Sequence, residues 1–350
     1  MAGASDERWF DNLHPALRRF WHPVAAAADV EPTKPHPFRL LGVNYVLACL
    51  DDAWTALPAV CPHRLAPLDA GTIRRGGSRG DVVVCGYHGW QFGGDGRCRA
   101  IPALGDGATI PPTAHLGPAH SVEERYGLVW VALDEPVAGI PGVERWDDPG
   151  LGRAPMPRQE WSAGAAQMVD NFLDVAHFPF THLDTIGNPD EIEVHGFDID
   201  RDDWRFDATY RHTARSLSES AAAGASEAAV VERTMRFRCW APHHLQLLID
   251  YGPDGDLLLL FFHQPIDAEC TGLYCVILAE NIADGRMTAA EQIDFQFRVA
   301  AEDRDMLERL PSTAVPLHPG VETHTRADRS TVEYRRLLTD VASLDSAALD

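Results

Sequence analysis

Two short pairs of metal-ligating side chains restrict this chain more than any other feature. They are Cys61-Pro62-His63 and Cys85-Gly86-Tyr87-His88, a C-x-H and a C-x-x-H with 21 residues between them. Each pair follows a strand-like run, so a loop presents it. Two Cys and two His suit zinc, but structural zinc sites favour a Cys pair followed by a His pair. One Cys and one His on each of two loops is what a two-iron, two-sulfide cluster with mixed ligands requires. Two thiolates hold one iron and two imidazoles the other. Each loop then gives one ligand to each iron, which locks the loops together. Gly86 and Gly89 permit close backbone approach and N–H contacts to sulfur.

A second constellation lies at Asn171-Phe-Leu-Asp174-Val-Ala-His177-Phe-Pro179-Phe-Thr-His182. On a helix, Asn171, Asp174 and His177 fall near one face at i, i+3 and i+6, set among Phe172, Leu173, Val175 and Phe178. Pro179 disfavours the α region at Phe178 and cannot donate to the i−4 carbonyl, so the helix is expected to bend or end there. His182 can then swing back toward His177. Two imidazoles beside a buried carboxylate are poor packing and good metal ligation. The competing reading is a core helix with satisfied histidines.

Around these motifs the pattern is mixed. Residues 6–22 carry Trp9, Phe10, Leu13, Leu17, Phe20 and Trp21 at near-helical spacing and are expected as an amphipathic helix ended by His22-Pro23. From residue 38 short apolar runs broken by turn residues follow, FRLLGV, YVLACL, DVVVCGY and YGLVWVAL, as in a small antiparallel β domain. Strand-like runs return at WRFDATYRHT, VVERTMRFRCWA, HLQLLIDYG, DLLLLFFHQP and GLYCVILAEN. Ser216–Ala229 is read as a flexible loop, 289–310 as a helix, and 332–338 as a short helical pattern. The expected organisation is α+β: an N-terminal helical segment at 1–37, a small antiparallel β domain at 38–135, a Pro/Gly-rich linker at 136–158, and a larger domain at 159–350 with a twisted antiparallel sheet flanked by helices.

Charge narrows the partners. A net charge of −22 argues against nucleic acid and anionic membrane surfaces. Residues 61–100 nevertheless hold six Arg against three Asp, a basic island on an acidic protein that suits an acidic redox partner or an ordinary solvated surface. No stretch approaches the roughly 18 apolar residues of a membrane helix, and MAGASDERWF has no signal-peptide character. A cytoplasmic protein is expected. Seven scattered cysteines suggest metal ligands or buried thiols rather than a disulfide framework.

CPHRLAPLDAG followed by CGYHGWQF resembles the Rieske motif of the non-haem iron ring-hydroxylating oxygenases. The N-x-x-D-x-x-H-x₄-H of 171–182 resembles their catalytic iron motif. WHPVA at 21–25, EDRDMLE and RADRSTVEYRRLL are similar to the shorter members, among them vanillate O-demethylase, dicamba monooxygenase and phenoxybenzoate-type oxygenases. The resemblance spans nearly the whole chain. It implies a Rieske [2Fe–2S] cluster on Cys61, His63, Cys85 and His88, and a mononuclear iron on His177, His182 and one carboxylate. Glu302, Asp303 and Asp305 are the candidates for the last. At 100° per residue Asp303 centres the stripe Val299, Met306, Leu307 and Leu310, while Glu302 and Asp305 fall with Arg298, Glu308 and Arg309 on the wet side. The resemblance points to Asp303 as well. It further implies that Asp174 bridges His177 to His88, or to His63, of the next subunit of a homotrimer, since within one subunit the two centres are expected to lie too far apart. Asn171 is expected close to the iron ligands.

The implied activity is that of a terminal oxygenase. It spends O2 and electrons from NAD(P)H, delivered by a ferredoxin or flavin reductase, on hydroxylation or oxidative O- or N-demethylation of an aromatic or other apolar small molecule. The chain carries no flavin or nicotinamide fingerprint of its own. A cis-dihydroxylating α subunit shares every metal ligand and stays open, as do a Rieske electron carrier without catalysis and a zinc-stabilised binding module. Phe237, Leu248, Phe261 and His263 are candidate pocket liners.

Overall fold

The N-terminal segment is not a helix. In the computed structural model Trp9–Phe10 is a two-residue strand (β1), Pro15–Arg19 a turn of 3₁₀ helix, and His22–Ala26 a strand (β2). Asp11 accepts from the Leu13 amide at 2.8 Å, and His14 Nδ1 from the Ala16 amide at 3.3 Å. Such local bonds compete with a helix ladder, and Pro15 disfavours the α region at His14. The apolar side chains are still buried, Phe10, Leu17, Phe20 and Trp21 among them, but on separate short elements.

The structure describes residues 8–76, 80–105, 107–215, 230–252, 255–318 and 320–346; the loop read at Ser216–Ala229 lies outside them. The chain forms two units, one of Arg18–Ile140 and one of Met1–Leu17 with Pro141–Asp350. The first is built of small antiparallel sheets. His36–Leu40 (β3), Val43–Leu50 (β4) and Ala53–Pro58 (β5) form one. Thr72–Arg74 (β6), Val82–Val84 (β7), Gln91–Phe92 (β8) and Cys98–Ala100 (β9) form a second. Ser121–Arg125 (β10) and Leu128–Ala132 (β11) join β2 in a third. The apolar runs of the sequence supply β3, β4, β7 and β11. Strand β2 therefore belongs to this β-rich unit.

The second unit is an eight-stranded antiparallel sheet. Its strands are Gly152–Pro155 (β12), Gln159–Trp161 (β13), Asp198–Asp202 (β14), Arg205–Arg215 (β15), Val230–Trp240 (β16), His244–Asp250 (β17), Asp256–Pro265 (β18) and Thr271–Ala279 (β19). The order is β12-β19-β18-β17-β16-β15-β14, with β13 also on β19. Thus part of the stretch expected as a linker, Gly152–Pro155, is a sheet strand, Ala154 pairing with Ile277. Every residue of β19 is buried, as its unbroken apolar run demands. Ala165–Leu173 (α1) packs on β18, and Phe178–Thr181 (α2) follows it directly. Glu280–Ala283 (α3) leads to Ala289–Leu307 (α4), whose N-cap Thr288 exchanges bonds with Glu291 in a capping box. A two-residue strand, Val315–Pro316 (β20), pairs with β1. Arg329–Ser346 (α5), longer than its sequence pattern suggests, packs on α1 and β15.

Candidate active site

The helix carrying Asn171 ends two residues later, so Asn171, Asp174 and His177 do not share one helix face. Asp174 is the C-cap of α1 in an extended conformation (ψ 128°), and His177 is the N-cap of α2. Pro179 sits in the first turn of α2, where a missing N–H costs nothing. It therefore starts a helix rather than ending one. The Ser330 hydroxyl donates to the Leu173 carbonyl at 2.9 Å, and Arg335 grips Asp170 through two bonds of 2.7 and 3.0 Å. By these bonds α5 fixes the end of α1.

His182 swings back to His177 as expected. Their Nε2 atoms are 3.1 Å apart, and Asp303 Oδ1 lies 3.3 Å from the first and 3.2 Å from the second. Among the described residues this is the only place where three such donors come within 4.8 Å of one another. Ligands about 2.1 Å from one ion at roughly right angles are about 3 Å apart, so the trio has the spacing of a facial triad. Asp303 is 6 % exposed, and its carboxylate accepts from Asn171 Nδ2 at 2.9 Å. Both imidazoles are oriented from behind. His177 Nδ1 faces Asp174 Oδ2 at 3.4 Å, and His182 Nδ1 faces Glu302 Oε2 at 2.8 Å. Nδ1–H donation leaves each Nε2 lone pair aimed at the common point. Thr185 donates to the same Glu302 oxygen at 2.5 Å.

Glu302 is the residue that helix-wheel reasoning misplaced. It is half-buried on His182, not on the wet face, whereas Met306 and Leu310, assigned to the apolar stripe, are 52 % and 46 % exposed. Its signal was its place next to Asp303 with two histidines to orient.

Electrostatics agree with a cation at this point. Burial disfavours the charged form of His177, but its bonds to Asp174 and Asp303 outweigh that and raise its pKa to about 9. His182 is raised in the same way by Asp303 and Glu302. Burial pushes Asp303 up, and the two imidazoles more than reverse it. The carboxylates thus hold positive charge between them, the charge a divalent ion supplies.

In the β-rich unit Cys61 and Cys85 are buried in the core, while His88 is exposed. The His63 and His88 rings are 4.5 Å apart, and Trp90 stacks on His63 at 4.6 Å. Two matching turns present the pairs: the Leu65 amide donates to the Cys61 carbonyl at 2.9 Å, and the Gly89 amide to that of Cys85 at 3.0 Å. Burial, with the Cys85 sulfur beside it, pushes the Cys61 thiol up to about 11. Two adjacent buried thiols and the His63 Nδ1, buried without a partner among the described residues, fit a cationic cluster.

Odd-numbered residues of successive strands line a cavity beside the triad: Leu247 and Ile249, Leu257, Leu259 and Phe261, Leu273 and Cys275. Strand alternation puts them on one sheet face. Phe172, Phe178, Phe295 and Val299 close the other side, with Gln159, Arg233, Tyr251 and Gln296 as polar points. Of the expected liners, Phe261 is in place. Phe237, Leu248 and His263 are not in the wall; His263 is buried behind Phe172, 5.9 Å from its ring.

Comparison with known proteins now decides the family. Residues 161–343 match the vanillate O-demethylase oxygenase C-terminal domain, and residues 20–112 the Rieske [2Fe-2S] domain. This chain belongs to the Rieske non-haem iron oxygenases. Methylxanthine N1-demethylase NdmA of Pseudomonas putida is 29 % identical over 334 residues, which cover 93 % of this chain and 89 % of the relative. Methylxanthine N3-demethylase NdmB of the same organism is 26 % identical over 330 residues, with 91 % and 88 % covered. The solved structure of Pseudomonas putida NdmA with caffeine superposes with a TM-score of 0.82 at 26 % identity, covering 96 % of this chain and 94 % of that one. As a Rieske oxygenase the chain uses a [2Fe–2S] cluster and a mononuclear iron, and it works as a terminal oxygenase on a small molecule with O2 and an electron-transfer partner. Among the described residues no helix is long and apolar enough to cross a membrane.

Proposed function

We propose that this Rieske oxygenase is a demethylating monooxygenase, removing an N- or O-methyl group from an aromatic or heteroaromatic compound. The observation that carries the reading is the triad of His177, His182 and Asp303 at the edge of an apolar cavity, matched over nearly the whole chain to two N-demethylases. The overall change is R–X–CH₃ + O₂ + 2 e⁻ + 2 H⁺ → R–X–CH₂OH + H₂O, and the hydroxymethyl product releases formaldehyde. The iron supplies the reductive activation of O2. The protein does the rest. His177, His182 and Asp303 would hold the metal beside the cavity. Asn171 holds the Asp303 carboxylate, and Asp174 and Glu302 fix the two imidazole tautomers. The aromatic and aliphatic walls bind a flat apolar substrate and exclude water.

Cys61, His63, Cys85 and His88 are the cluster ligands in this reading. Asp174 is half-buried at the back of His177, a position from which its carboxylate reaches a neighbouring subunit's His88 in a homotrimer. The exposed Leu65, Tyr87 and Arg64 around the ligand loops are the surface for a ferredoxin or flavin reductase. The organisation proposed is a Rieske domain followed by a catalytic domain from residue 159, acting in the cytoplasm.

The test is reconstitution of iron-loaded protein with a surrogate reductase and NAD(P)H on a panel of N-methyl heteroarenes and methoxyarenes. Formaldehyde formed in step with demethylated product supports the reading. Arene cis-diols from the same panel would replace it with ring dihydroxylation.

A further inference from the structure

Arg233 is the one strongly polar group in the cavity whose chemistry the reaction above does not use. It lies on β16 two residues before Met235, hence on the same sheet face, and is 2 % exposed. Its Nε bonds to His212 Nε2 at 2.5 Å and one terminal nitrogen to the Tyr251 hydroxyl at 3.2 Å. Neither partner is a carboxylate. The other terminal nitrogen, Nη2, is buried with no partner among the described residues. His212 stays neutral: burial and the guanidinium lower its pKa to about 2. The cation is also set against rings, 5.7 Å above Phe178 and 5.8 Å above Tyr251.

A buried guanidinium with no carboxylate bonded to it is costly, and a donor left unmade adds the desolvation penalty of that group. A carboxylate ligand would compensate both. Glu191, Glu232 and Asp250 share the adjoining outer cleft with Arg233, yet its bonds run to His212 and Tyr251 instead. On the inner side Arg233 shares the cavity with its apolar wall, with Gln159, Tyr251 and Gln296, and with the triad, whose one carboxylate, Asp303, is engaged by His177, His182 and Asn171. A fork of this shape takes a planar carboxylate in preference to a single acceptor.

We infer that Arg233 is a specificity-determining residue that binds the carboxylate of an aromatic acid, anchoring the ring between Phe178 and the sheet face. Phe178 stands between anchor and metal ligands, its ring 5.7 Å from the guanidinium carbon and 4.9 Å from the His177 ring. An acid held at Arg233 therefore presents the far side of one aromatic ring to the triad. The inference rests on the demethylase reading and names its substrate class: methoxy- or methylamino-arenes with a carboxylate opposite the methyl-bearing atom.

The probes are 4-methoxybenzoate, its methyl ester and 4-methoxybenzamide, titrated into full-length, iron-loaded protein by calorimetry. Iron and sulfide content are measured on the same sample. The acid is expected to bind at least about tenfold tighter than the two neutral analogues, as a charge-assisted bond in a dry site implies. R233M is expected to lose that preference, while R233K retains part of it. Ester or amide binding equal to acid, no binding of the acid by fully metallated protein, or acid preference undiminished in R233M overturns the inference. The wild-type comparison alone decides the point should R233M fail to fold. Loss of the demethylase reading shows separately, as protein that lacks the iron or that binds probes without releasing formaldehyde from any of them.

Discussion

Each metal-facing histidine has the same three-part build: Nε2 toward the common point, Nδ1 toward a carboxylate, and the carboxylate held in turn. Asp174 is fixed by the Ala176 amide at 2.7 Å, and Glu302 by Thr185. Asp303 is different because it touches both Nε2 atoms itself. Asp303→Ala is therefore expected to lose the mononuclear iron and keep the cluster, giving about two irons and two sulfides per chain in place of about three irons. Loss of the cluster spectrum in that variant would sink the assignment. Glu302→Gln keeps the shape and weakens orientation, so iron affinity should fall roughly 10- to 100-fold. The pH dependence follows from the raised imidazoles. In metal-free protein His177 holds its proton up to about pH 9, and a ligating imidazole must be neutral. The metal has to displace a proton at any pH below that value, so affinity rises with pH, by about tenfold per unit for one proton. Cobalt(II) titrations of metal-depleted protein at three pH values between 6.5 and 8.5 check this; an affinity flat across that range contradicts it. The same proton has the opposite effect on the metal-free fold. A pKa raised on folding adds stability below the unfolded value near 6.5, and this is lost as pH rises through about 9.

At the scale of elements, the strands and the placing of both Cys/His pairs on loops were legible, and the form of the 6–22 segment was not. Apolar runs such as GLYCVILAEN read directly as strands because a strand buried on both faces has no polar option. Cys/His pairs on loops read directly because no common structural motif mixes them so. The 6–22 segment misled because its apolar spacing matches a helix while Asp11 and His14 accept competing local bonds and Pro15 restricts His14, and periodicity does not weigh those. Glu302 was hidden for a related reason. A wheel assigns a residue to solvent or core, but a long carboxylate at the boundary reaches whichever polar group folds over it, here His182 on another helix. Arg233 needed the sheet register, since only pairing such as Met235 with Ile249 and Ile249 with Leu257 shows which strand residues share a wall. The ligand loops carry their own test. A Cβ on Gly71 would lie 2.2 Å from the Val84 carbonyl oxygen, one residue before Cys85. Gly71→Ala must displace one loop from the other, at a cost of roughly 1–3 kcal/mol. Most of the cluster absorption should vanish while the mononuclear iron stays. Full cluster content in this variant would show that the loops need not be so close.

At the scale of the whole molecule the question is which cluster serves which iron. Asp174 sits behind His177 with its side chain 32 % exposed, and close by on the same unit Phe180, Met306 and Leu310 are exposed apolar side chains. In the proposed trimer this acidic residue behind His177, edged by uncovered apolar surface, is the place that a second chain would cover. If Asp174 meets the His88 of a neighbour, Asp174→Asn keeps both metals and loses turnover, and His88→Ala loses its own cluster but keeps a competent iron. Each variant alone is then inactive. Co-expressed, they form rings in which the wild-type Asp174 of one chain faces the wild-type His88 of the next, and with random assembly of a cyclic trimer about one interface in four is competent. Activity of about a quarter of wild type from two inactive parents is thus the expected outcome, with metal analysis confirming the Asp174→Asn chains as fully loaded. Electron transfer confined to one chain predicts the contrary, because every chain in the mixture then carries a broken path and no combination restores it. Near-wild-type turnover in Asp174→Asn alone would remove the bridging role whatever the mixture does.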